Sequence, residues 1–214
     1  AFALMWSSAF TSARIIVTDA SPLFSLALRF LVSGLIGVGI ALAMGQTWKL
    51  SRNQWRATII FGVCQNALYL GLNFVAMQTV QASLAAIIAA TMPLLVALAS
   101  WLLFRERLKP LGIAGLMAGV VGVGLIMGTR ISEGVDLYGV ALCAIGVIAL
   151  TVATLALRGA TSGGNFMMVV GLQMLVGSSI LLVAALLFEN IYFNPTLPLA
   201  LAFAYTTLFP GLIA

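Results

Sequence analysis

Long apolar stretches follow one another along the chain, each separated from the next by a short polar segment. A helix needs roughly 20 mostly apolar residues to cross a bilayer, and the stretches reach that length repeatedly. The pattern predicts eight membrane-spanning helices, at about residues 1–17, 22–45, 57–78, 82–104, 110–128, 137–157, 165–188 and 198–214. Pro22 and Pro110 suit first-turn positions, whereas Pro93 lies inside the fourth span and predicts a bend there.

The composition agrees with lipid as the main solvent. Hydrophobic residues make up 63% of the 214 residues and charged residues only 7%, against about 25% charged in an ordinary globular domain. The first span begins at Ala1 without an initiator Met, and the eighth stops at Ala214 in mid-helix. We therefore expect the chain to be a segment of a longer protein.

The ionisable residues and cysteines exclude several kinds of function. The chain has no His, and Cys64 and Cys143 lie inside apolar runs, which excludes a disulfide framework, a Cys/His zinc site and a His base. The five acids lie in predicted loops or at the end of a span: Asp19, Glu106, Glu133, Asp136 and Glu189. We therefore predict no catalytic residue, no metal, no cofactor and no enzymatic activity. The net charge of +5 lies on membrane flanks, which predicts a lipid bilayer as partner and no nucleic acid, and leaves a homo-oligomer open.

The Lys and Arg residues predict the orientation in the membrane. If the N-terminus is cytoplasmic, Arg14 and Arg130 lie at outer ends, and most basic residues flank the inner ends of the spans: Lys49, Arg52, Arg56, Arg105, Arg107, Lys109 and Arg158. Cytoplasmic loops are enriched in Lys and Arg. The distribution therefore predicts a cytoplasmic N-terminus.

The chain resembles itself when it is shifted by 144 residues. Arg14 then falls on Arg158, residues 22–44 overlay residues 166–188, and residues from 57 onward overlay those from 201 onward. Five spans precede the second copy, and because five is odd, the second copy enters the membrane in the opposite orientation.

The fold predicted is an all-α integral membrane protein, a ten-helix bundle of two inverted five-helix repeats, of which about eight helices are visible here. Residues 1–128 form the first repeat, residues 129–136 an outer loop, and residues 137–214 the start of the second repeat. Inverted repeats are typical of secondary transporters.

Several stretches resemble a known family of transporters. They are Gly71 to Met77, Ala82 to Ile88, Met92 to Leu95, Phe104 to Leu108, and the small-residue span from Gly112 to Gly128. These stretches are similar to helices 3 to 5 of the drug/metabolite transporter superfamily, EamA type. Within that family the chain looks most like the bacterial exporters of aromatic and other neutral amino acids, the YddG-like branch. The resemblance implies ten helices in two inverted repeats and a multi-pass solute exporter in the bacterial cytoplasmic (inner) membrane.

The third span carries the strongest candidate for a substrate site. Gln65, Tyr69 and Asn73 are spaced i, i+4 and i+8, and Asn66 lies at the edge of the same face. Amides in hydrocarbon are costly unless they are satisfied, so this face must look into protein or water. We predict a cavity wall that offers hydrogen bonds to a zwitterionic amino acid. Interhelical hydrogen bonding is the alternative interpretation.

Other spans supply further cavity candidates. They are aromatic, hydroxyl and thioether side chains within or near predicted spans: Trp6, Ser7, Met92, Trp101 and Tyr205. For Trp101 the alternative is a place in the aromatic belt at the membrane interface. Arg29 is the one ionisable residue clearly inside a span. We expect it to snorkel to the outer interface, and a counter-charge for a substrate carboxylate is the alternative.

These features together predict a secondary transporter that exports small amino-acid-like solutes by alternating access. Proton-coupled carriers generally place a carboxylate or a His within the pathway. The sequence places neither at depth, which favours movement down the gradient of the solute itself. A broad-specificity drug or metabolite efflux carrier is the alternative within transport. A membrane-embedded structural subunit is the less favoured alternative, because it leaves the polar face of the third span unexplained.

Overall fold

The computed structural model describes residues 2–106, 110–132, 136–158 and 163–212, and within them the side chains of residues 8–106, 110–126, 128, 136–158 and 163–208. These ranges form eight helices and no strand, which confirms the predicted all-α architecture: α1 Phe2–Asp19, α2 Pro22–Ala43, α3 Arg52–Ala76, α4 Ala82–Phe104, α5 Pro110–Ser132, α6 Leu137–Ala156, α7 Phe166–Phe188 and α8 Leu197–Leu212. Five of the eight, namely α2, α3, α4, α6 and α7, are long and apolar enough to cross a membrane.

Helix α3 begins earlier than the hydrophobic pattern predicts. It starts at Arg52 rather than near residue 57, because Ser51 and Gln54 form a capping box ahead of the apolar run. The Ser51 hydroxyl accepts from the backbone N–H of Gln54 at 3.3 Å, and the Gln54 side chain accepts from the backbone N–H of Ser51 at 2.8 Å. Such a cap satisfies two N–H groups at a helix start, so the helix extends into polar sequence.

Helix α4 is interrupted just ahead of Pro93. Its first part is Ala82–Ala89 and its second part is Met92–Phe104, with the proline in the first turn of the second part. A proline has no N–H to donate and its ring clashes with the carbonyl four residues earlier, so the helix breaks on its N-terminal side. The structure therefore interrupts the helix at the place where Pro93 predicts a bend.

The two helices that the internal repeat equates, α2 and α7, pack along each other more extensively than any other described pair. The Ser178 hydroxyl donates to the carbonyl of Ala27 at 2.8 Å. Further along, a Cβ atom on Gly34 would lie 3.0 Å from the carbonyl oxygen of Gly171. Small residues allow this close approach of two backbones. The order of the two contacts shows that α2 and α7 run antiparallel.

A shift of 144 residues exchanges these two contacts. It carries Ala27 onto Gly171 and Gly34 onto Ser178, so one contact becomes the other. The same shift carries α1 onto α6 and α3 onto α8. The contact of α8 with α1 is accordingly matched by the contact of α3 with α6. This is the arrangement of a pseudo-two-fold axis between α2 and α7, as an inverted repeat requires. The division of the chain into repeats stays a prediction that this packing supports.

The ends of α2 and α7 cap each other in the same two-fold manner. At one end of the bundle the Glu189 carboxylate, just past α7, accepts from the N–H groups of Leu23 and Phe24 at 2.8 and 3.0 Å. At the other end the Gln46 side chain, just past α2, accepts from the N–H of Met168 at 3.0 Å. Met168 is the repeat equivalent of Phe24. Both caps satisfy donors that a helix start leaves free.

The paired arginines of the repeat lie at opposite ends of the bundle. The Arg14 guanidinium donates to the carbonyl of Met77, where α3 ends and α4 is about to begin. Arg158 pairs with Glu106 at 3.1 Å, just past the far end of α4. Because α4 runs from one end of the bundle to the other, the two arginines are separated by its length.

Candidate functional site

The centre of α3 is a π-helix. Residues Gly62–Tyr69 form it, between the α-helical segments Arg52–Phe61 and Leu70–Ala76. This stretch contains Gln65, Asn66 and Tyr69. A π-helical turn inside an α-helix is rare and is found frequently at functional sites, because it shifts the side chains that follow it. No pattern in the sequence predicted it.

Asn66 is turned toward α7. Its side chain is buried, and its amide donates to the backbone carbonyl of Gln173 at 2.9 Å. Gly177, one turn further along α7, leaves room for this contact, because a Cβ atom there would overlap the Cβ atom of Asn66. The amide of Asn66 therefore joins α3 to α7, which is the interhelical bonding that was the alternative to a cavity role.

Tyr69 and Asn73 are turned toward α6. Both are buried, and Asn73 is 1% exposed. The Asn73 amide donates to the carbonyl of Tyr69 at 2.8 Å, whereas its Oδ1 is buried and has no hydrogen-bond partner among the described residues. A Cβ atom on Gly146 of α6 would lie 2.9 Å from the Asn73 Nδ2. A buried acceptor without a partner is uncommon in folded proteins and marks this position as a candidate for a role beyond packing.

The predicted polar face of α3 is thus divided between two neighbours. Asn66 contacts α7, and Tyr69 and Asn73 contact α6. Gln65 is half-buried in the π-helical segment. The structure therefore brings the four residues to one segment of α3, but it does not turn them all into one space.

The remaining candidates lie on three other helices. Tyr205 of α8 is half-buried, and its hydroxyl lies 2.6 Å from the hydroxyl of Ser8 on α1. Met92 lies at the break in α4 and packs against the buried core. Trp101 is 50% exposed, so it lies on an outer face of α4. The side chains of Trp6 and Ser7, beside Ser8, lie outside the described residues.

Arg29 is enclosed by the bundle. Its side chain is 6% exposed, so it does not reach the outer surface as snorkelling requires. Its guanidinium carbon lies 5.3 Å from the centre of the Phe30 ring, and its Nε has no hydrogen-bond partner among the described residues. The expectation of snorkelling is therefore wrong.

A mostly apolar cleft of about 570 Å³ lies along the start of α8, lined by residues between Phe193 and Ala204. None of the predicted site residues with described side chains lines it. Among all the residues that the structure describes, no group of three His, Cys, Asp or Glu side chains could hold a metal ion.

An all-helical bundle with several apolar spans and inward-turned amides is the architecture of a multi-pass membrane protein. Residues 1–128 match the model of the EamA-like transporter family. The chain belongs to this family.

Named relatives are transporters. The uncharacterized transporter YvbV of Bacillus subtilis (strain 168) is 24% identical over 187 residues, which are 87% of this chain and 61% of that protein. The aromatic amino acid exporter YddG of Ancylobacter novellus is 31% identical over 128 residues, which are 59% of this chain and 44% of that protein. An S-adenosylmethionine/S-adenosylhomocysteine transporter of Chlamydia muridarum is 28% identical over 119 residues, or 56% of this chain and 37% of that protein.

The fold also matches a crystal structure. That structure has a TM-score of 0.72 and 24% sequence identity, and the match covers 98% of this chain and 72% of the other. The chain spans less than two thirds of the length of the three relatives above.

Proposed function

We propose that the protein is a secondary transporter that exports small amino-acid-like solutes, aromatic and other neutral amino acids, by alternating access. The observation that carries the proposal is the exchange of the Ala27–Ser178 and Gly34–Gly171 contacts under the 144-residue shift. Two halves related in this way can occupy two equivalent arrangements, one open to each side of the membrane.

The packing between the halves suits such a movement. α2 and α7 meet through small residues and a hydroxyl, and both begin at a cap supplied by the other. We propose that these two helices form the axis about which the halves rock. The residues around the axis, including the π-helical segment of α3 and the break in α4, then move past one another.

The proposed substrate class rests on polar chemistry and on the relatives. The described interior contains an amide on Asn73 and hydroxyl groups on Thr206 and Thr207, which donate to carbonyls of α8 and keep their acceptor capacity. We propose that such neutral groups bind the solute without changing charge. Aromatic amino acids and S-adenosylmethionine, the solutes in the names of two relatives, both carry an α-amino and an α-carboxylate group. We therefore propose that the common amino-acid end is the part that is recognised. A second candidate function is a carrier for larger metabolites. It is favoured by the similarity to a relative named as a transporter of S-adenosylmethionine.

We propose a facilitative mechanism in the bacterial inner membrane with the N-terminus in the cytoplasm. The four acids with described side chains all lie at helix ends: Asp19, Glu106, Asp136 and Glu189. A group that exchanges protons with the pathway would need to lie deeper. The excess of Lys and Arg at one predicted side supports the orientation.

Counterflow in proteoliposomes tests the proposal. The purified protein is reconstituted, the vesicles are loaded with one unlabelled solute of a panel, and entry of the same labelled solute is followed. We expect transient accumulation of labelled aromatic amino acids at equal pH on both sides, and no change when a pH gradient is imposed. Uptake of no amino acid in vesicles with a working reconstitution control would contradict the substrate class. Accumulation driven by a pH gradient and abolished by a protonophore would contradict the facilitative mechanism.

A further inference from the structure

Among the arginines with described side chains, Arg29 is the one that is buried. It lies in α2, and its side chain is enclosed rather than exposed to lipid, with 6% of its surface accessible. Its contact with the Phe30 ring stabilises a cation through the face of the ring. That contact leaves the hydrogen-bonding capacity of the guanidinium unused at Nε.

Arg29 lies at the depth of the polar segment of α3. The antiparallel contacts between α2 and α7 place Arg29 level with Val176. Asn66, in the π-helical segment, contacts α7 at Gln173 and Gly177, on either side of that level. Arg29 on α2 and the π-helical segment of α3 therefore lie at the same depth in the bundle, on different helices.

The face of α2 that carries Arg29 is turned toward the second half of the molecule. Ser33 lies one turn further along this face, and its hydroxyl donates to the carbonyl of Thr207 on α8 at 3.2 Å. In the proposed repeat, α2 belongs to the first half and α8 to the second. A ligand held by Arg29 would therefore lie between the halves, where an alternating-access carrier binds its solute.

The acids with described side chains are all engaged elsewhere. Their partners are residues at the ends of the helices: Thr196 for Asp19, Arg158 for Glu106, Thr79 for Asp136, and the start of α2 for Glu189. A buried charge is costly unless a counter-charge pairs with it. An anion that pairs with the Arg29 guanidinium would therefore stabilise it, and the described part of the chain does not supply one.

We propose that Arg29 binds the carboxylate of the transported amino acid. This inference rests on the proposed function and names the group that the carrier recognises. A guanidinium presents donors in a planar fork that matches the two oxygens of a carboxylate. The Phe30 ring contacts one face of the guanidinium. The solute carboxylate accepts hydrogen bonds from the N–H groups at the edge of the guanidinium. Arg29 then selects solutes that keep a free carboxylate.

Competition in the counterflow assay tests this selection. The intact protein exchanges labelled phenylalanine while unlabelled phenylalanine, phenylalaninamide or phenethylamine competes. The last two compounds keep the aromatic ring and the amino group and lack the carboxylate. We expect both to compete about tenfold or more weakly than phenylalanine, because a charge-assisted hydrogen bond is lost.

Variants at position 29 separate recognition from folding. Arg29→Gln should reduce the preference for phenylalanine over phenylalaninamide to near one, and Arg29→Lys should retain a part of it. Arg14→Gln removes another arginine, which holds the end of α3 through Met77, and should leave the preference unchanged. Because the preference is a ratio, a general loss of folded protein does not alter it.

The outcomes distinguish this proposal from the proposed function. If the native protein exchanges phenylalanine but binds phenylalaninamide equally well, the role of Arg29 is refuted and the transport function stands. Retention of the full preference by Arg29→Gln has the same meaning. If Arg29→Gln cannot be purified in folded form, Arg29→Lys and the competition with the native protein decide. Exchange of no amino acid by the native protein refutes both proposals.

Discussion

At the scale of single residues, the polar side chains inside the spans divide into those that join helices and those that retain bonding capacity. The amide of Asn66 bonds to the backbone of α7. Asn73 uses its amide on the carbonyl of Tyr69 in its own helix, and its Oδ1 has no described partner. The sequence showed that amides occur here, and their different environments follow from the helices that lie opposite.

Removing the side chain of Asn73 tests its capacity to bind a solute. Because its described hydrogen bond lies within α3, we expect Asn73→Ala to change the free energy of unfolding by no more than about 1 kcal/mol. Transport should fall about tenfold through the loss of an acceptor for the solute. The matched variant Asn66→Ala loses an interhelical bond, so it should lower stability by about 0.5–2 kcal/mol and keep transport while it is folded. Parallel losses of transport and stability in Asn73→Ala would assign it to packing alone.

Asp136, outside the spans, makes the stability of the α6 start depend on pH. A hydrogen bond of 2.5 Å from the Thr79 hydroxyl lowers the pKa of its carboxyl below the ordinary 3.8, and the N–H groups of Tyr138 and Gly139 lower it further. The folded state therefore favours the charged form. Its contribution to stability is present above the ordinary pKa and is lost as the pH falls through the lowered value.

Thermal unfolding in detergent as a function of pH measures this contribution. Asp136→Asn keeps an acceptor at the helix start but does not titrate. We expect the native protein to unfold at a higher temperature than Asp136→Asn at pH 7, and the difference to shrink toward about pH 3. Thr79→Val, which removes the largest cause of the shift, should weaken the pH dependence. A constant difference across this range would show that the charge of Asp136 does not stabilise the fold.

At the scale of elements, the sequence predicted the number and type of the helices and could not predict two local features. The break in α4 follows from Pro93, which lacks an N–H. The π-helix of α3, which packs against α6 and α7, has no such signal in the sequence. A face drawn with regular α-helical spacing therefore grouped Asn66 with Tyr69 and Asn73, whereas Asn66 contacts α7 and the other two contact α6. The start of α3 was also missed, because a polar capping box carries no hydrophobic signal.

Close glycine contacts between the helices should be intolerant of an added methyl group. A Cβ atom on Gly177 would overlap the Cβ atom of Asn66 and lie 3.2 Å from the carbonyl oxygen of Gly62. Both belong to rigid parts of α3, so Gly177→Ala should lower the free energy of unfolding by about 1–3 kcal/mol. Gly39→Ala on the exposed side of α2, with nothing within 4 Å, should not lower it and should raise it by up to about 1 kcal/mol, because Ala has the higher helix propensity. Equal effects of the two variants would contradict the described packing of α3 on α7.

Not every glycine on a shared helix face lies against a neighbouring helix in the described structure. The glycines of α5 share a face in sequence: Gly112, Gly115, Gly119 and Gly122. A Cβ atom on Gly119 would lie 2.9 Å from Leu94, whereas nothing lies within 4 Å of the other three positions among the described residues. The spacing of glycines in the sequence identifies a helix face that another helix could approach closely. Which helix packs against that face depends on the fold.

At the scale of the whole molecule, the internal repeat predicted relationships that the contacts support, and the cytoplasmic N-terminus predicted from the charge distribution stays a prediction. The repeat predicts that α2 and α7 are equivalent, and these two helices form the centre of the bundle with exchanged contacts. The repeat was detectable in sequence because loop lengths and Arg positions are kept at one offset. Which side chains face the space between the halves was not predictable, since apolar and small residues fit many helix arrangements.

Labelling of single cysteines tests the inversion of the repeats. Lys49, between α2 and α3, is exposed, and the equivalent position in the second copy adjoins the exposed Asn194 between α7 and α8. Cys64 and Cys143 are first replaced, and Lys49→Cys or Asn194→Cys is then introduced. We expect an impermeant thiol reagent to label the Asn194→Cys variant from the outside of intact cells, and the Lys49→Cys variant only after the cells are opened. Labelling of both from the same side would contradict the inverted repeat.

The most direct test of the account is trans-stimulation of efflux. Proteoliposomes with the intact protein are loaded with labelled phenylalanine, and its exit is timed with or without excess unlabelled phenylalanine outside. A carrier that rocks between two states returns faster with solute bound than empty when the empty return limits the cycle, whereas a channel shows no such effect. We predict that external phenylalanine accelerates the exit of the label in vesicles with the native protein and not in protein-free vesicles. An equal rate of exit under the two conditions would contradict alternating access in which the return of the empty carrier limits the cycle.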